Sequence, residues 1–378
     1  MKKRLFLSIC LLIAVLGLTI LFMPAFIPRA LLYGHVNIND YNIFSNREVK
    51  SGPAIPWAND SLYNELPIDT SSLRTFKSYG TVAYVVVKNN KIIHEEYWDG
   101  YNDSSYSNSF SMAKSIISLL IGCLVDDGKI KSLDQSVSDF LPEFKQTEGK
   151  TLHIKDLLTM SSGIDWDESY SSLFSPTTQA YYGQDLPGQM FSLHVKDQPS
   201  IRFNYQSCNP QILGLIIERA SGKHIADYAS EKLWKPLGAE HPALWCLDKE
   251  DGTEKAYCCF NTNARDFARI GQMVLDSGRF ANRQIVSKQY IVEATSPALW
   301  LKDEDGNACD QYGYLFWMLT YKGHKVVYAR GILGQYIFII PSLNPVIVRL
   351  GEQRSNLFKH NVPDDVFVYL DAAFHLIN

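Results

Sequence analysis

Ser111 and Lys114 stand three residues apart in Asn108-Ser109-Phe110-Ser111-Met112-Ala113-Lys114-Ser115-Ile116-Ile117, where polar sequence turns apolar. A serine hydroxyl is a weak nucleophile until a base takes its proton, and a lysine amine that is neutral for part of the time can be that base. Residues i and i+3 of a helix share one face, so the two side chains can meet. The turn-like run Tyr101–Asn108, followed at once by an apolar run, marks a helix N-terminus. Its free amides and partial positive charge would stabilise a developing oxyanion. Ser-x-x-Lys alone arises by chance roughly once in a chain of this length, and a capping serine beside a solvated lysine is the bland alternative. Against that alternative, Lys114 heads the largely apolar stretch Ile116–Val125, where a solvated lysine is out of place.

The elements around this pair follow from pattern. Thr81–Lys88 is rich in β-branched residues and reads as a buried strand, Asn89-Asn90 as a turn, and Lys91–Trp98 as the partner strand. The Ser111 helix runs to about Asp127, stops at Gly128, and is apolar nearly all round, so it should be central and buried. Residues 129 to about 280 read mainly as helices and loops, among them Pro210–Ala220, Ile225–Trp234 and the amphipathic Asn263–Leu275. Strand patterns return at Tyr314–Thr320, Lys325–Arg330, Tyr336–Ile340 and Val346–Leu350, and Asp364–Leu376 closes the chain as an amphipathic helix. Strands at both ends with helices between them predict an α+β fold. Its antiparallel sheet, flanked by helices, is built from both ends of the chain, and a mainly helical lobe is inserted.

The 378 residues are 46% hydrophobic and 20% charged, the composition of a globular chain with a sizeable core. A net charge of −4 gives no support for nucleic-acid binding. The seven cysteines lack metal-site spacing; with adjacent Cys258 and Cys259 and an odd total they read as buried thiols, a single bridge remaining open. No Gly-x-Ser-x-Gly, phosphate loop, His-Glu-x-x-His or dinucleotide fingerprint is present, so neither a metal nor a cofactor is expected in the chemistry. Lys2-Lys3-Arg4 ahead of the mostly apolar Leu5–Ile27 predicts that residues 1–30 are a signal-anchor or, less favoured, a cleaved signal peptide. The body would then be extracytoplasmic and tethered to a membrane. Residues 31–75 read as an irregular lead-in wrapping the domain.

A helical lobe against a sheet leaves a cleft, where ligand sites concentrate. Two stretches could complete a site there. One is Phe203-Asn-Tyr205-Gln-Ser207 ahead of an apolar helix; the other is Ala329-Arg330-Gly331-Ile332-Leu333-Gly334-Gln335 between two strands. Taken singly, Tyr205 could equally be a core tyrosine and the glycine stretch a tight turn.

Together the three stretches, in this order, resemble the serine β-lactamase-like hydrolases: class C β-lactamases, DD-peptidases, related esterases and, nearest, the 6-aminohexanoate-dimer (nylon oligomer) hydrolases. Supporting stretches are Leu157-Leu-Thr-Met-Ser-Ser-Gly163, Ala264-Arg-Asp-Phe-Ala-Arg-Ile-Gly271 and Gly331-Ile-x-Gly-Gln335. The resemblance covers roughly Thr81–Gly351 and implies one hydrolase domain over residues 76–378, its helical lobe at about 129–280. It implies Ser111 as acylated nucleophile, Lys114 as its base, and Tyr205 as proton relay to the leaving group and helper of the deacylating water. The backbone amides of Ser111 and Ile332 would form the oxyanion hole. Tyr170, Ser207 and Gly331 would contact a small amide or ester substrate. Two departures weigh against efficient β-lactam hydrolysis: Ala329-Arg330-Gly331 stands where Lys-Thr-Gly is usual, and Ser207 where the Asn of Tyr-x-Asn is usual. Arg330 neighbours the missing cation but should point to the opposite face of its strand. A penicillin-binding or DD-peptidase-type cell-wall enzyme, a β-lactamase-type enzyme, and a non-catalytic binding protein of the same fold are the alternatives.

Overall fold

The structure, a computed structural model, describes residue 6, residues 23–144 and residues 149–377. Its main sheet has seven strands: β1 (Ala58–Asn59), β2 (Thr81–Lys88), β3 (Lys91–Tyr97), β4 (Trp317–Tyr321), β5 (His324–Gly331), β6 (Gln335–Ile339) and β7 (Pro345–Gly351). They lie in the order β4-β5-β6-β7-β2-β3-β1, so the two ends of the chain meet where β7 pairs with β2. All pairings are antiparallel except that of β1 with β3, which is parallel and two residues long. Asn89 and Asn90 close the β2–β3 hairpin with φ of 53° and 62°, the left-handed pair that suits a two-residue hairpin.

Both faces of the sheet are covered, which is why β2 is buried on both sides and reads as a continuous β-branched run rather than an alternating one. On β6 the successive residues Tyr336 and Ile337 point oppositely. Tyr336 faces Tyr369 of the C-terminal helix Asp365–Ile377, with ring centroids 5.9 Å apart. Ile337 faces the helix Ala264–Leu275, whose Gly271 comes so close that an added Cβ would sit 2.8 Å from Ile337 Cγ2 and 2.5 Å from Val346 Cγ1. Only a glycine lets that helix seat against the sheet at this distance. On the C-terminal-helix side, Phe76 of the helix Thr70–Ser78 lies between the rings of Tyr84 and Tyr369.

The lead-in is more ordered than expected. The helix Phe26–Tyr33 overlaps its start and Thr70–Ser78 its end, and edge strand β1 and a strand Asn46–Val49 lie between them. That strand opens a second sheet of four strands with Ala243–Cys246, Phe260–Thr262 and Ser107–Asn108. Ser107–Asn108 immediately precedes the Ser111 turn, so the second sheet anchors the approach to the candidate nucleophile.

The expected membrane anchor, Leu5–Ile27, lies for the most part outside the described residues. Among the described residues no helix is long and apolar enough to cross a membrane. The reading of adjacent Cys258 and Cys259 as thiols is corrected: they form a disulfide with Cα atoms 3.8 Å apart. Cys123, Cys208, Cys246 and Cys309 are free and buried, and Cys10 lies outside the described residues.

Candidate active site

Ser111 occupies a single 3-10 turn, Phe110–Met112, that runs directly into α1 (Ala113–Asp126). The backbone bends sharply just before it: Phe110 has φ of 42°, a left-handed conformation that costs a non-glycine residue about 1–3 kcal/mol and persists only where the surroundings enforce it. They do so here. The Phe110 amide donates to Asn108 Oδ1 at 2.8 Å, the Met112 amide to the Ser109 carbonyl at 3.1 Å, and the Ser109 amide to the Phe260 carbonyl at 2.9 Å. Phe110 itself is buried.

Lys114 lies one turn on and is 1% exposed. Its Nζ donates to Ser111 Oγ at 2.8 Å and to the Tyr257 carbonyl at 3.0 Å. The rings of Tyr205 and Tyr257 stand beside the amine, with centroids 5.1 Å and 5.7 Å from Nζ. An apolar, aromatic cage with two hydrogen-bond acceptors fixes this lysine against the serine. Tyr205 is held in turn by Trp317 and Tyr312, ring centroids at 5.3 Å and 6.1 Å.

The late glycine stretch reaches the same place from the sheet. Gly331 ends β5, and a Cβ on it would lie 2.3 Å from the Ser109 carbonyl oxygen. The strand edge therefore packs directly on the backbone that leads into Ser111. Ile332 follows in a tight turn in which Leu333 and Gly334 have φ of 60° and 83°. Ile332 and Ser111 line one cavity of about 760 Å³ together with Tyr170, Ser207, Tyr257 and Cys258. The helix Phe26–Tyr33 and the turn after it close its other side with Ala30, Gly34, His35 and Val36. No lysine or arginine is among the residues lining it. Arg330 is not among them: its guanidinium lies 3.7 Å from the centre of the Trp317 ring and donates to the Asn361 carbonyl.

Ser111, Lys114, Tyr205, Ser207, Tyr170, Gly331 and Ile332 thus converge on one region. Three further features joined to them carry no role in the sequence reading. Glu168 accepts from the Tyr170 hydroxyl at 2.5 Å, the Ser207 hydroxyl at 2.6 Å, the Ser207 amide at 2.7 Å and Trp166 Nε1 at 2.7 Å. Charge-assisted bonds of this kind are the strong ones, so Glu168 sets the positions of both Tyr170 and Ser207. Burial of its hydroxyl end, then the Glu168 charge, hold the Tyr170 phenol well above its ordinary range, although its ring is half exposed. Tyr257 contributes the carbonyl that Lys114 donates to, and its own hydroxyl is buried without a partner. Burial, then the Glu168 charge, keep that phenol protonated too. The Cys258–Cys259 disulfide follows Tyr257 directly and puts Cys258 on the cavity wall. Glu168 lies inside the stretch that carries Tyr170, and its acidic side chain was the available signal; a backbone carbonyl such as that of Tyr257 has no signature in a sequence.

A serine and a buried lysine at the head of a central helix, set against the edge of an antiparallel sheet, define the β-lactamase/transpeptidase-like fold. The chain belongs to the Beta-lactamase family, whose model matches residues 73–364. It is 26% identical over 284 residues to a 6-aminohexanoate-dimer hydrolase of Paenarthrobacter ureafaciens, covering 71% of this chain and 72% of that one. Among solved structures, a Bacillus anthracis protein assigned by name to the 6-aminohexanoate-dimer hydrolases superposes with a TM-score of 0.77 at 21% identity, over 90% of this chain and 92% of that one. An octameric penicillin-binding protein homologue from Pyrococcus abyssi superposes with a TM-score of 0.60 at 20% identity, over 82% and 76% of the two chains. At these identities the two superpositions establish the fold.

Proposed function

We propose that this protein hydrolyses an amide or ester bond through an acyl-enzyme on Ser111. The observation that carries the reading is the 2.8 Å hydrogen bond from the buried Lys114 amine to Ser111 Oγ, at the floor of a cavity large enough for a small substrate. Lys114 takes the hydroxyl proton as Ser111 attacks the substrate carbonyl. The amides of Ser111 and Ile332 receive the oxyanion. Tyr205 passes a proton to the departing amine or alkoxide and then helps a water release the acyl group. Tyr170 and Ser207, oriented by Glu168, and the Gly331 edge hold the substrate on the cavity side.

The cavity wall also shapes the substrate class. With no lysine or arginine lining it, a substrate carboxylate lying along the cavity wall would meet no paired cation there. That favours neutral amides and esters over β-lactams and carboxylate-bearing peptides. The test is to treat the purified protein with a fluorophosphonate and map the adduct by mass spectrometry. A single adduct on the peptide bearing Ser111 is expected, with little or no labelling by a fluorescent penicillin. An adduct elsewhere, or none, overturns the nucleophile assignment; strong penicillin labelling restores the cell-wall-enzyme reading.

The oxyanion hole supplies a second check. Gly331→Ala places a methyl 2.3 Å from the Ser109 carbonyl, so β5 or the nucleophile turn must give way and the two amides lose their common focus. Losing one well-placed oxyanion donor typically lowers kcat by about 10²–10³-fold. A loss of that size in activated-ester hydrolysis is expected. An unchanged kcat would place the oxyanion donors elsewhere.

A further inference from the structure

Outside the cavity, three side chains from separate segments converge. Glu218 projects from the helix Cys208–Ser221, His224 sits just before the helix Ile225–Ala229, and Glu254 lies in the turn that leads to Tyr257. One ligand atom from each lies within 4.8 Å of the others. His224 Nδ1 is already 3.3 Å from Glu218 Oε1. None of the three lines the Ser111 cavity. Glu218 and His224 instead border a separate open cleft of about 680 Å³.

We propose that Glu218, His224 and Glu254 form a binding site for a divalent transition-metal ion of the zinc type. The strongest pointer is Glu254. Its side chain is fully buried, yet only Oε1 has partners: Arg47 at 2.8 Å and the Ala226 amide at 3.0 Å. Oε2 is buried with no hydrogen-bond partner at all. An unsatisfied carboxylate oxygen away from water is costly, and native structures rarely tolerate one without an ion, a water or a proton to complete it. Beside the Arg47 guanidinium, which pairs with Oε1, the groups that converge here are the Glu218 carboxylate and the His224 imidazole, and each can offer a metal a lone pair. Two carboxylates and one imidazole suit zinc, which takes nitrogen and oxygen ligands at about 2.0–2.2 Å, better than calcium or magnesium, which take oxygen almost exclusively. Glu254 is rigid, held through Oε1 by Arg47 and the Ala226 amide in the way that outer partners orient a metal ligand. His224 is exposed and Glu218 is half-buried, so the small closure needed to bring all three within bonding distance falls on the two less buried members.

The site is structural rather than catalytic, and its position explains what it would brace. Gln211 on the same helix as Glu218 donates to the Glu254 carbonyl at 3.0 Å and accepts from the Ala256 amide at 2.9 Å. The next residue, Tyr257, offers the carbonyl that Lys114 donates to. An ion on Glu218 and Glu254 therefore clamps the turn that holds Lys114's backbone partner.

The test uses the full chain stripped of metal with a chelator, then titrated with Zn²⁺ by calorimetry and thermal denaturation. One equivalent should bind per chain, and Tm should rise by about 5 °C when Zn²⁺ exceeds Kd a hundredfold. Co²⁺ in place of Zn²⁺ should give visible absorption of a nitrogen–oxygen site. Glu218→Gln and His224→Ala should each lose the binding, the Tm response and the Co²⁺ spectrum while still labelling with a fluorophosphonate. His360→Ala, at an exposed imidazole outside the cluster, should keep all of them. No stoichiometric binding, or equal binding by His224→Ala, overturns the proposal whatever the outcome at Ser111.

Discussion

Ser111→Ala removes fluorophosphonate labelling completely and lowers activated-ester turnover by about 10⁴-fold or more, with the fold intact. Nucleophile deletions in serine hydrolases cost this much because no neighbouring group can take over bond formation, and what remains is background from binding and the oxyanion hole. Here the structural cost is small. The lost Oγ leaves Lys114 with its second acceptor, the Tyr257 carbonyl, at 3.0 Å, and removes one hydrogen bond worth about 1 kcal/mol net. The kinked backbone before Ser111 is held by hydrogen bonds among Asn108, Ser109, Phe110, Met112 and Phe260 that do not use the Ser111 hydroxyl. Circular dichroism and Tm should therefore follow wild type closely while labelling vanishes. Equal labelling of wild type and variant would show that another residue attacks the probe.

That Ser111 and Lys114 could meet was legible in the sequence because their geometry is local, but the motif alone left a capping serine and a solvated lysine open until the ordered resemblance was added. Three residues along a helix fix which side chains meet, and the polar-to-apolar switch at Asn108–Ile116 marks the turn where this happens. The main sheet was legible for a similar reason. The β-branched run Thr81–Lys88 and the Asn-Asn turn mark a hairpin, and the late strands fall within a few residues of their expected positions. The parallel edge strand Ala58–Asn59 was not, since two residues carry no period. Tyr205 had no signature of its own; the ordered resemblance singled it out, and the structure places its ring 5.1 Å from the Lys114 amine. Glu168 escaped because its donors are spread over residues 166–207 and meet only through the fold. The Cys258–Cys259 bridge escaped for a geometric reason. Spacing rules are built on Cα separations of about 4.4–6.8 Å, and neighbouring residues sit closer than that.

The buried lysine is where chemistry and stability can be separated. Lys114→Met keeps the length of the side chain and fills its aromatic cage, but supplies no amine. It leaves the Tyr257 carbonyl without its donor, a cost of about 1–3 kcal/mol, and it also takes a basic group out of an apolar pocket, which offsets that cost. Tm should shift little. The rate of acylation should fall by about 10²–10⁴-fold, the usual worth of a well-placed general base. Lys114→Arg decides what the amine does. Arginine keeps the positive charge and can still donate to Ser111 Oγ, but a guanidinium does not give up its proton in a protein. If Lys114 is the base, the arginine variant acylates as poorly as the methionine variant. If Lys114 only supplies charge near the developing oxyanion, the arginine variant recovers most of the rate, provided that its Tm shows the larger head has been accommodated. Rapid labelling by Lys114→Met would overturn both roles and leave the 2.8 Å contact as a packing feature of the helix.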